Sequence, residues 1–217
     1  MRYKGVIFDL DGTLVDSLDD IADSMNKVLR AHGFPVHATD RYREFVGRGM
    51  TNLVIRALPE DARDDTRITV CRDAMLVEYG ANYLNKTRPY DGIIDMLTEL
   101  TRLNIETAVF SNKVDHYTKK IMAELFSRCN FAVVLGSGPE LPEKPDPKGV
   151  LAISSLLGVP PGDLVYVGDS DVDMQTARNA GMHPAGALWG FRTREELIAN
   201  GAEFLLGHPM DLLAVVQ

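Results

Sequence analysis

The sequence predicts an α/β protein, a doubly wound, Rossmann-like parallel sheet into which a helical domain is inserted. Short apolar segments alternate with helical patterns from about residue 89 onwards, which is typical of parallel strands joined by right-handed crossovers. One strand pattern stands apart at residues 5–8, and only helical periodicity follows it as far as about residue 84. We therefore predict a core formed by residues 1–15 and 85–217, and a helical cap domain formed by residues 16–84.

The predicted core strands are short apolar runs rich in β-branched and aromatic residues. They are expected at residues 5–8, 105–110, 131–135, 164–167 and 185–188. Helices are expected between them at residues 89–103, 114–125, 145–157 and 171–180, and the end of the chain, from residue 194, has the pattern of a helix, a short strand and a helix.

The inserted segment begins at Ser17, which stands three residues before Asp20 in a pattern like a capping box. Leu18, Ile21 and later apolar residues follow at helical spacing, and Gly33 ends this helix. Further helical patterns cover residues 39–46, 51–58 and 61–84, with Gly47-Arg48-Gly49 interrupting them. The segment therefore reads as a bundle of helices placed over the sheet.

Composition excludes several classes of protein. The net charge is −8 and no basic block is present, which argues against a nucleic-acid-binding protein. No apolar run approaches the ~20 residues of a membrane helix, and the early strand leaves no room for a signal peptide. Cys71 and Cys129 form neither a disulfide framework nor a zinc motif. We expect a cytoplasmic monomer or homodimer that does not bind membranes.

Two aspartates, Asp9 and Asp11, follow the first strand directly. Ligands of open α/β sheets bind outside the carboxyl ends of the strands, so these side chains would lie where such folds perform chemistry. Asp and Gly are also ordinary turn residues, and Asp11-Gly12 alone is compatible with a simple polar turn. The surrounding residues are needed to decide between the two interpretations.

The string from Asp9 to Ser17, DLDGTLVDS, resembles the first signature of the haloacid dehalogenase superfamily of phosphatases and mutases. The resemblance implies that Asp9 is the nucleophile and Asp11 the acid/base. It also implies that Thr13 contacts the groups around a metal ion, and that the core sheet has the strand order 3-2-1-4-5 in chain numbering.

Two further strand ends and one loop before a helix resemble later signatures of the same family. Ser111 and Asn112 follow the second core strand and are expected to bind the phosphoryl group. Lys144, in the stiff Lys-Pro-Asp-Pro sequence, is expected to neutralise Asp9 and the phosphate oxygens. In GDSDVD, Asp169 is implied as a metal ligand and Asp173 as a residue that supports the ligands. Lys113, by contrast, is expected to be solvated or to contact a loop.

The predicted metal ligands are Asp9, Asp11 and Asp169. Two carboxylates about 4 Å apart repel each other by about 4 kcal/mol at an effective dielectric constant near 20, and a phosphate dianion increases the conflict. A divalent cation with oxygen ligands removes it, and Mg²⁺ suits carboxylates, phosphate and water. The five histidines are scattered without zinc-site spacing. We therefore expect Mg²⁺ as the cofactor.

The resemblance implies Mg²⁺-dependent hydrolysis of a small phosphate monoester through an aspartyl-phosphate intermediate. The motifs are most similar to those of 2-phosphoglycolate phosphatases. A pyrophosphatase of the same subfamily and a phosphosugar mutase of the β-phosphoglucomutase type remain alternatives, because they share the motifs. A dehalogenase is disfavoured, since those enzymes lack an acid at the position of Asp11, and a non-catalytic binding protein is disfavoured because no motif residue is missing.

Substrate choice is expected to depend on the cap loop Gly47-Arg48-Gly49. The two glycines permit sharp backbone bends, so the loop would bring Arg48 into the cleft to contact an anionic group of the substrate. Many phosphoglycolate phosphatases have Asn between these glycines, so Arg48 departs from their pattern. The alternative is a surface arginine in a flexible turn.

Overall fold

The computed structural model describes residues 2–139 and 141–217. Its strands are β1 Gly5–Phe8, β2 Val15–Asp16, β3 Arg88–Pro89, β4 Glu106–Val114, β5 Val133–Ser137, β6 Leu164–Gly168, β7 His183–Ala187 and β8 Phe204–Leu206. Its α-helices are α1 Leu18–Ala31, α2 Tyr42–Phe45, α3 Gly49–Ala57, α4 Asp65–Asn82, α5 Ile93–Arg102, α6 Asp115–Leu125, α7 Lys148–Leu157, α8 Asp171–Ala180, α9 Arg194–Ala199 and α10 Leu212–Val216.

The described chain contains a six-stranded parallel sheet in the order β5-β4-β1-β6-β7-β8. The predicted order 3-2-1-4-5 is confirmed, and β8, the short strand expected near the C-terminus, extends the sheet at one edge. The first strand lies in the interior of the sheet, between β4 and β6. Its carboxyl end is therefore flanked by the ends of two other strands.

Both faces of the sheet are covered by helices, as the strand composition requires. In β1, Val6 and Phe8 pack into one hydrophobic cluster, with residues of α5, α6 and α10. Ile7, which points to the other face, packs with residues of α7 and α8. Because alternate side chains of one strand are both buried, the strand is apolar at every position rather than alternating.

The helices α1 to α4 have a hydrophobic cluster of their own, which includes Met25, Tyr42 and Met75. We call residues 17–87 the insert. The chain enters and leaves it through β2 and β3, which pair antiparallel. The predicted domain boundaries, near residues 15 and 85, lie at this two-stranded ribbon; the division into two domains stays a prediction.

One strand differs from its prediction in a way that matters for the site. The second core strand, β4, continues to Val114 instead of ending at Phe110, and its register against β5 shifts between these two residues. The polar residues Ser111 to Lys113 therefore belong to an irregular extension of the strand rather than to a turn. Among the described residues, no helix is long and apolar enough to span a membrane.

Candidate functional site

The carboxyl ends of β1 and β4 open onto a cavity of about 60 Å³. Its polar lining comes from the core and includes Asp9, Asp11, Ser111, Asn112 and Lys113. Its apolar lining comes from the insert, with residues Ile21, Val46, Met50, Leu53 and Met75. The insert thus covers the sheet edge at which the sequence predicts chemistry.

Asp9 is 6% exposed at the end of β1. The Nζ of Lys144 lies 2.8 Å from its Oδ1, yet no described residue donates a well-aligned hydrogen bond to that oxygen. Burial raises the pKa of Asp9 to about 6, against the attraction of Lys144 and with a further increase from Asp173. A buried carboxylate that lines a cavity is suited to bind a cation or to attack an electrophile.

Asp11 pairs with Lys113, a residue that was not predicted for the site. The Nζ of Lys113 donates to both of its oxygens at 2.8 and 2.9 Å, and Ser17 Oγ donates to its Oδ1 at 2.6 Å. The prediction that Lys113 is solvated is wrong, because its side chain is only 6% exposed. Burial by itself would lower the pKa of Lys113, but the Asp11 carboxylate outweighs it and raises that pKa above its ordinary value.

Lys144 is buried between two carboxylates. Its Nζ lies 2.8 Å from Asp9 and donates to Asp173 Oδ1 at 2.7 Å. Burial would lower the pKa of this ammonium, but Asp173 and Asp9 raise it well above its ordinary value. Asp173 also accepts hydrogen bonds from the backbone N–H and the hydroxyl of Ser170. The lysine is therefore held as a cation beside Asp9.

Asp169 follows β6 and is 1% exposed. Thr13 Oγ1 donates to its Oδ1 at 3.1 Å, and the backbone N–H of Phe191 donates to its Oδ2 at 2.8 Å. Burial, together with the neighbouring charges of Asp173 and Asp9, raises the pKa of Asp169 to about 8. Its charge is therefore poorly compensated by the protein.

The described residues include one buried group of acids that could hold a metal ion, formed by Asp9, Asp169 and Asp173, with ligand oxygens within 4.8 Å of one another. Lys144 neutralises part of this negative charge. The raised pKa values of Asp9 and Asp169 indicate that the rest is not compensated by the protein. An all-oxygen acidic group fits a hard divalent cation such as Mg²⁺. The Asp11 carboxylate is not in the group, and its role as a ligand stays a prediction.

Ser111 and Asn112 lie on the irregular end of β4, 2% and 4% exposed. The Ser111 hydroxyl accepts a hydrogen bond from the Lys113 backbone and lines the cavity. The Asn112 amide holds two segments together, because its Oδ1 accepts from Lys144 N at 2.7 Å while its Nδ2 donates to Gly47 O at 3.0 Å. Their contact with a phosphoryl group stays a prediction.

Arg48 lies at the edge of the insert and does not line the cavity. Its guanidinium donates to Asp171, the first residue of α8, and so joins the insert to the core. The arginine side chain is 40% exposed. A contact between Arg48 and a substrate therefore requires that the arginine leave Asp171.

Two residues of the cavity were not recognised as functional from the sequence, Lys113 and Tyr79. Tyr79 lies on α4, and the Nζ of Lys113 is 4.6 Å from the centre of its ring. Adjacency to Ser111 and Asn112 was the available signal for Lys113. For Tyr79 the helical spacing only indicated a core position, which it also occupies.

Replacing Gly12 by alanine is expected to disturb Asp169 directly. Gly12 has φ +85°, and a Cβ there would lie 2.4 Å from Asp169 Oδ2. Gly33 is the matched control, since it has φ +74° and open space around it. We expect urea denaturation to give a loss of about 1–2 kcal/mol for Gly33→Ala, a larger loss for Gly12→Ala, and weaker Mg²⁺ activation only for the latter. The same loss of stability and the same Mg²⁺ activation in both variants would contradict the close approach of Gly12 to Asp169.

Comparisons with known proteins agree with this geometry. Residues 6–187 match the family model of haloacid dehalogenase-like hydrolases. A phosphoglycolate phosphatase from Aquifex aeolicus is 32% identical over 212 residues, covering 98% of this chain and 96% of the relative. An N-acetylmuramic acid 6-phosphate phosphatase from Pseudomonas aeruginosa is 30% identical, covering 100% and 96%. A crystal structure from Lactobacillus delbrueckii subsp. bulgaricus, provisionally assigned as a phosphoglycolate phosphatase, superposes with a TM-score of 0.94 at 28% identity, covering 100% of this chain and 99% of that one.

Proposed function

We propose, from the premise that this chain belongs to the haloacid dehalogenase-like hydrolases, as its motifs predicted, that it hydrolyses small phosphate monoesters, with 2-phosphoglycolate as the first candidate. The observation that carries the proposal is Asp9. It is buried beside the Lys144 ammonium, and it lines the cavity together with Asp11 and Ser111. This is the arrangement that nucleophilic attack on a bound phosphoryl group requires.

In the first step, a carboxylate oxygen of Asp9 forms a bond to phosphorus while the bond from phosphorus to the ester oxygen breaks. Asp11 gives a proton to the departing alkoxide. In the second step, water attacks phosphorus, the bond to Asp9 breaks, and Asp11 takes a proton from the water. The ammonium of Lys113 pairs with Asp11 and so lies beside the carboxyl group that exchanges the proton in both steps.

The buried ammonium of Lys144 and the hydroxyl of Ser111 would stabilise charge on the phosphoryl oxygens. Asp9 and Asp169 would hold Mg²⁺, with Asp11 as the further predicted ligand, while Thr13 and Asp173 keep the surrounding groups in place. When bound, Mg²⁺ supplies positive charge that favours binding of the phosphate dianion.

The choice of 2-phosphoglycolate rests on the names of similar proteins and on the cation, Lys113, in the described lining of the cavity. A phosphosugar mutase and a pyrophosphatase remain the alternatives. The cytoplasmic location and the monomeric or dimeric state stay predictions.

Phosphate release from a panel of esters with Mg²⁺ tests the proposal. The panel contains 2-phosphoglycolate, pyrophosphate, hexose phosphates, N-acetylmuramic acid 6-phosphate and nucleotides, and a separate assay follows conversion of β-glucose 1-phosphate into glucose 6-phosphate. We expect the highest kcat/KM for 2-phosphoglycolate. A higher value for another ester would replace the substrate, isomerisation without phosphate release would indicate the mutase, and no turnover of any compound would refute the proposal.

Arg48→Ala is expected to lower kcat/KM for the best anionic substrate by about 2–3 kcal/mol, the scale of a charge-assisted pair. The loss should be far smaller for phenyl phosphate, whose leaving group has no second anion. Asp171→Asn is the control, since it releases Arg48 from its partner in the core without removing the arginine. If Asp171→Asn reproduces the loss, Arg48 acts through the contact between insert and core and not on the substrate.

A further inference from the structure

Lys113 carries the only positive charge among the described side chains that line the cavity. Lys144 is buried between Asp9 and Asp173, and Arg48 is paired with Asp171 outside the cavity. An anionic group of a small ligand in the closed cavity would therefore meet the ammonium of Lys113 first. An ammonium has three N–H donors, so it can bind a second anion besides Asp11.

Tyr79 is the second polar group on this side. The residue is 1% exposed, and its hydroxyl has no hydrogen-bond partner among the described residues. The neighbouring Tyr117, whose ring lies 5.4 Å from that of Tyr79, donates its hydroxyl to Leu76 O at 2.7 Å. Buried hydroxyls are normally hydrogen-bonded, so a ligand anion at the Lys113 ammonium, which lies 4.6 Å from the centre of the Tyr79 ring, would give this hydroxyl an acceptor.

The rest of the insert wall offers no polar side chain. Apart from Tyr79 and two glycines, its described lining is apolar, with Ile21, Val46, Met50, Leu53 and Met75. Such a wall disfavours sugars, whose hydroxyl groups would lose hydrogen bonds to water without replacement. It accepts a short carbon chain, and a charged end of that chain has only Lys113 and Tyr79 to bind on this side.

We propose that Lys113 and Tyr79 form a leaving-group subsite that selects phosphate esters with a carboxylate attached directly to the ester carbon. The inference rests on the proposed function, in which Asp11 exchanges a proton with the ester oxygen at hydrogen-bond distance. Lys113 Nζ lies within 2.9 Å of both Asp11 oxygens. A carboxylate attached to the ester carbon then falls within reach of the same ammonium, while Tyr79 donates its hydroxyl to it.

The test compares 2-phosphoglycolate with 2-hydroxyethyl phosphate, which has a similar size and a neutral end. We expect the wild type to prefer 2-phosphoglycolate in kcat/KM. Lys113→Met should lower the preference by about 30-fold, the effect of one charge-assisted hydrogen bond, and Tyr79→Phe should lower it by about fivefold. Lys119→Met, which removes an exposed lysine paired with Asp115, should leave the preference unchanged.

Losses of equal size on both esters in Lys113→Met would mean that Lys113 acts only through Asp11 and would overturn the subsite. Equal turnover of both esters by the wild type would also overturn it while leaving the phosphatase function intact. If no ester is hydrolysed, the proposed function fails, and calorimetry on the Asp9→Asn protein decides the subsite separately. Tighter binding of 2-phosphoglycolate that disappears in Asp9→Asn/Lys113→Met would support the subsite, and equal binding of the two esters would exclude it. Tyr79→Phe keeps the test possible if Lys113→Met does not fold.

Discussion

Asp9→Asn is expected to lower phosphate release by about 10⁴-fold or more, because an amide oxygen cannot form the aspartyl-phosphate, and loss of a covalent nucleophile has effects of this order. The fold should tolerate the change. Burial raises the pKa of Asp9 to about 6, so its charge is unfavourable at neutral pH, and Lys144 keeps Asp173 as a partner. We expect a melting temperature equal to or above that of the wild type.

The measurement combines steady-state phosphate release with mass spectrometry, which excludes deamidation of the new asparagine. Asp163→Asn is the matched control. It removes a carboxylate of the same type from an exposed pair with Lys4 and should keep full activity. Activity of Asp9→Asn within tenfold of the wild type, with an intact amide, would show that Asp9 is not the nucleophile.

Removal of divalent cations is expected to lower activity by about 100-fold or more, with recovery on addition of Mg²⁺. Asp169→Ala should require more Mg²⁺ for half-maximal activity. Ca²⁺ should inhibit, because it accepts more ligands than Mg²⁺ and could bind Asp9 through both oxygens. Full activity in excess chelator would exclude the metal role, whereas full activity with Ca²⁺ would exclude only the argument from coordination geometry.

The buried acids Asp9 and Asp169 are expected to make the stability of the metal-free protein depend on pH. Burial raises the pKa of Asp9 to about 6 and that of Asp169 to about 8, compared with about 3.9 in the unfolded chain. Between these values the two carboxyl groups bind more protons in the metal-free folded protein than in the unfolded chain, so their contribution to the free energy of unfolding falls as the pH rises from about 4 to about 8. Mg²⁺ should therefore stabilise the protein more at about pH 8 than at about pH 5.

Thermal unfolding with and without Mg²⁺ measures this difference. At a concentration of about 100 times its Kd, Mg²⁺ adds about 2.7 kcal/mol, which corresponds to an increase of about 5–10 °C in Tm for a chain of this size. We expect that increase at about pH 8, a smaller one at about pH 5, and in Asp169→Asn, at the same Mg²⁺ concentration, a smaller increase at about pH 8 than in the wild type. The same increase at both pH values in the wild type would contradict the assigned charges.

Arg48 and Lys113 pair with acidic residues in different places, and this difference separates their proposed roles. Arg48 has its partner, Asp171, at the boundary between insert and core, and Lys113 has its partner, Asp11, inside the cavity. The substrate carboxylate is expected to meet Lys113 in the closed arrangement, and Arg48 would contact a substrate only after leaving Asp171. The ester comparisons with Lys113→Met and Arg48→Ala therefore report on different stages of recognition.

The sequence alone determined the parallel sheet, its central strand and the helical insert, because these follow from local patterns. An apolar run such as Gly5–Phe8 can only be a buried strand in this context, and a polar group directly after it must lie at the carboxyl edge. The same reasoning placed Asp9, Ser111 and Asp169 at that edge, whereas Lys144 was predicted from the resemblance of its Lys-Pro-Asp-Pro sequence to a family signature. The sequence had also indicated the short strand near the C-terminus, but its pairing with β7 depends on contacts distant along the chain.

Only the tertiary structure decided which charges pair. Lys113 and Asp11 are 102 residues apart and Arg48 and Asp171 are 123 apart, and no local pattern specifies such partners. The continuation of β4 past Phe110 brings Lys113 into the cavity, where burial makes an ion pair necessary, since an unpaired buried ammonium is costly. Likewise, Asp173 joins Asp9 and Asp169 in the buried acidic group because its helix starts against the end of β6, so packing of the helix on the sheet determined that contact.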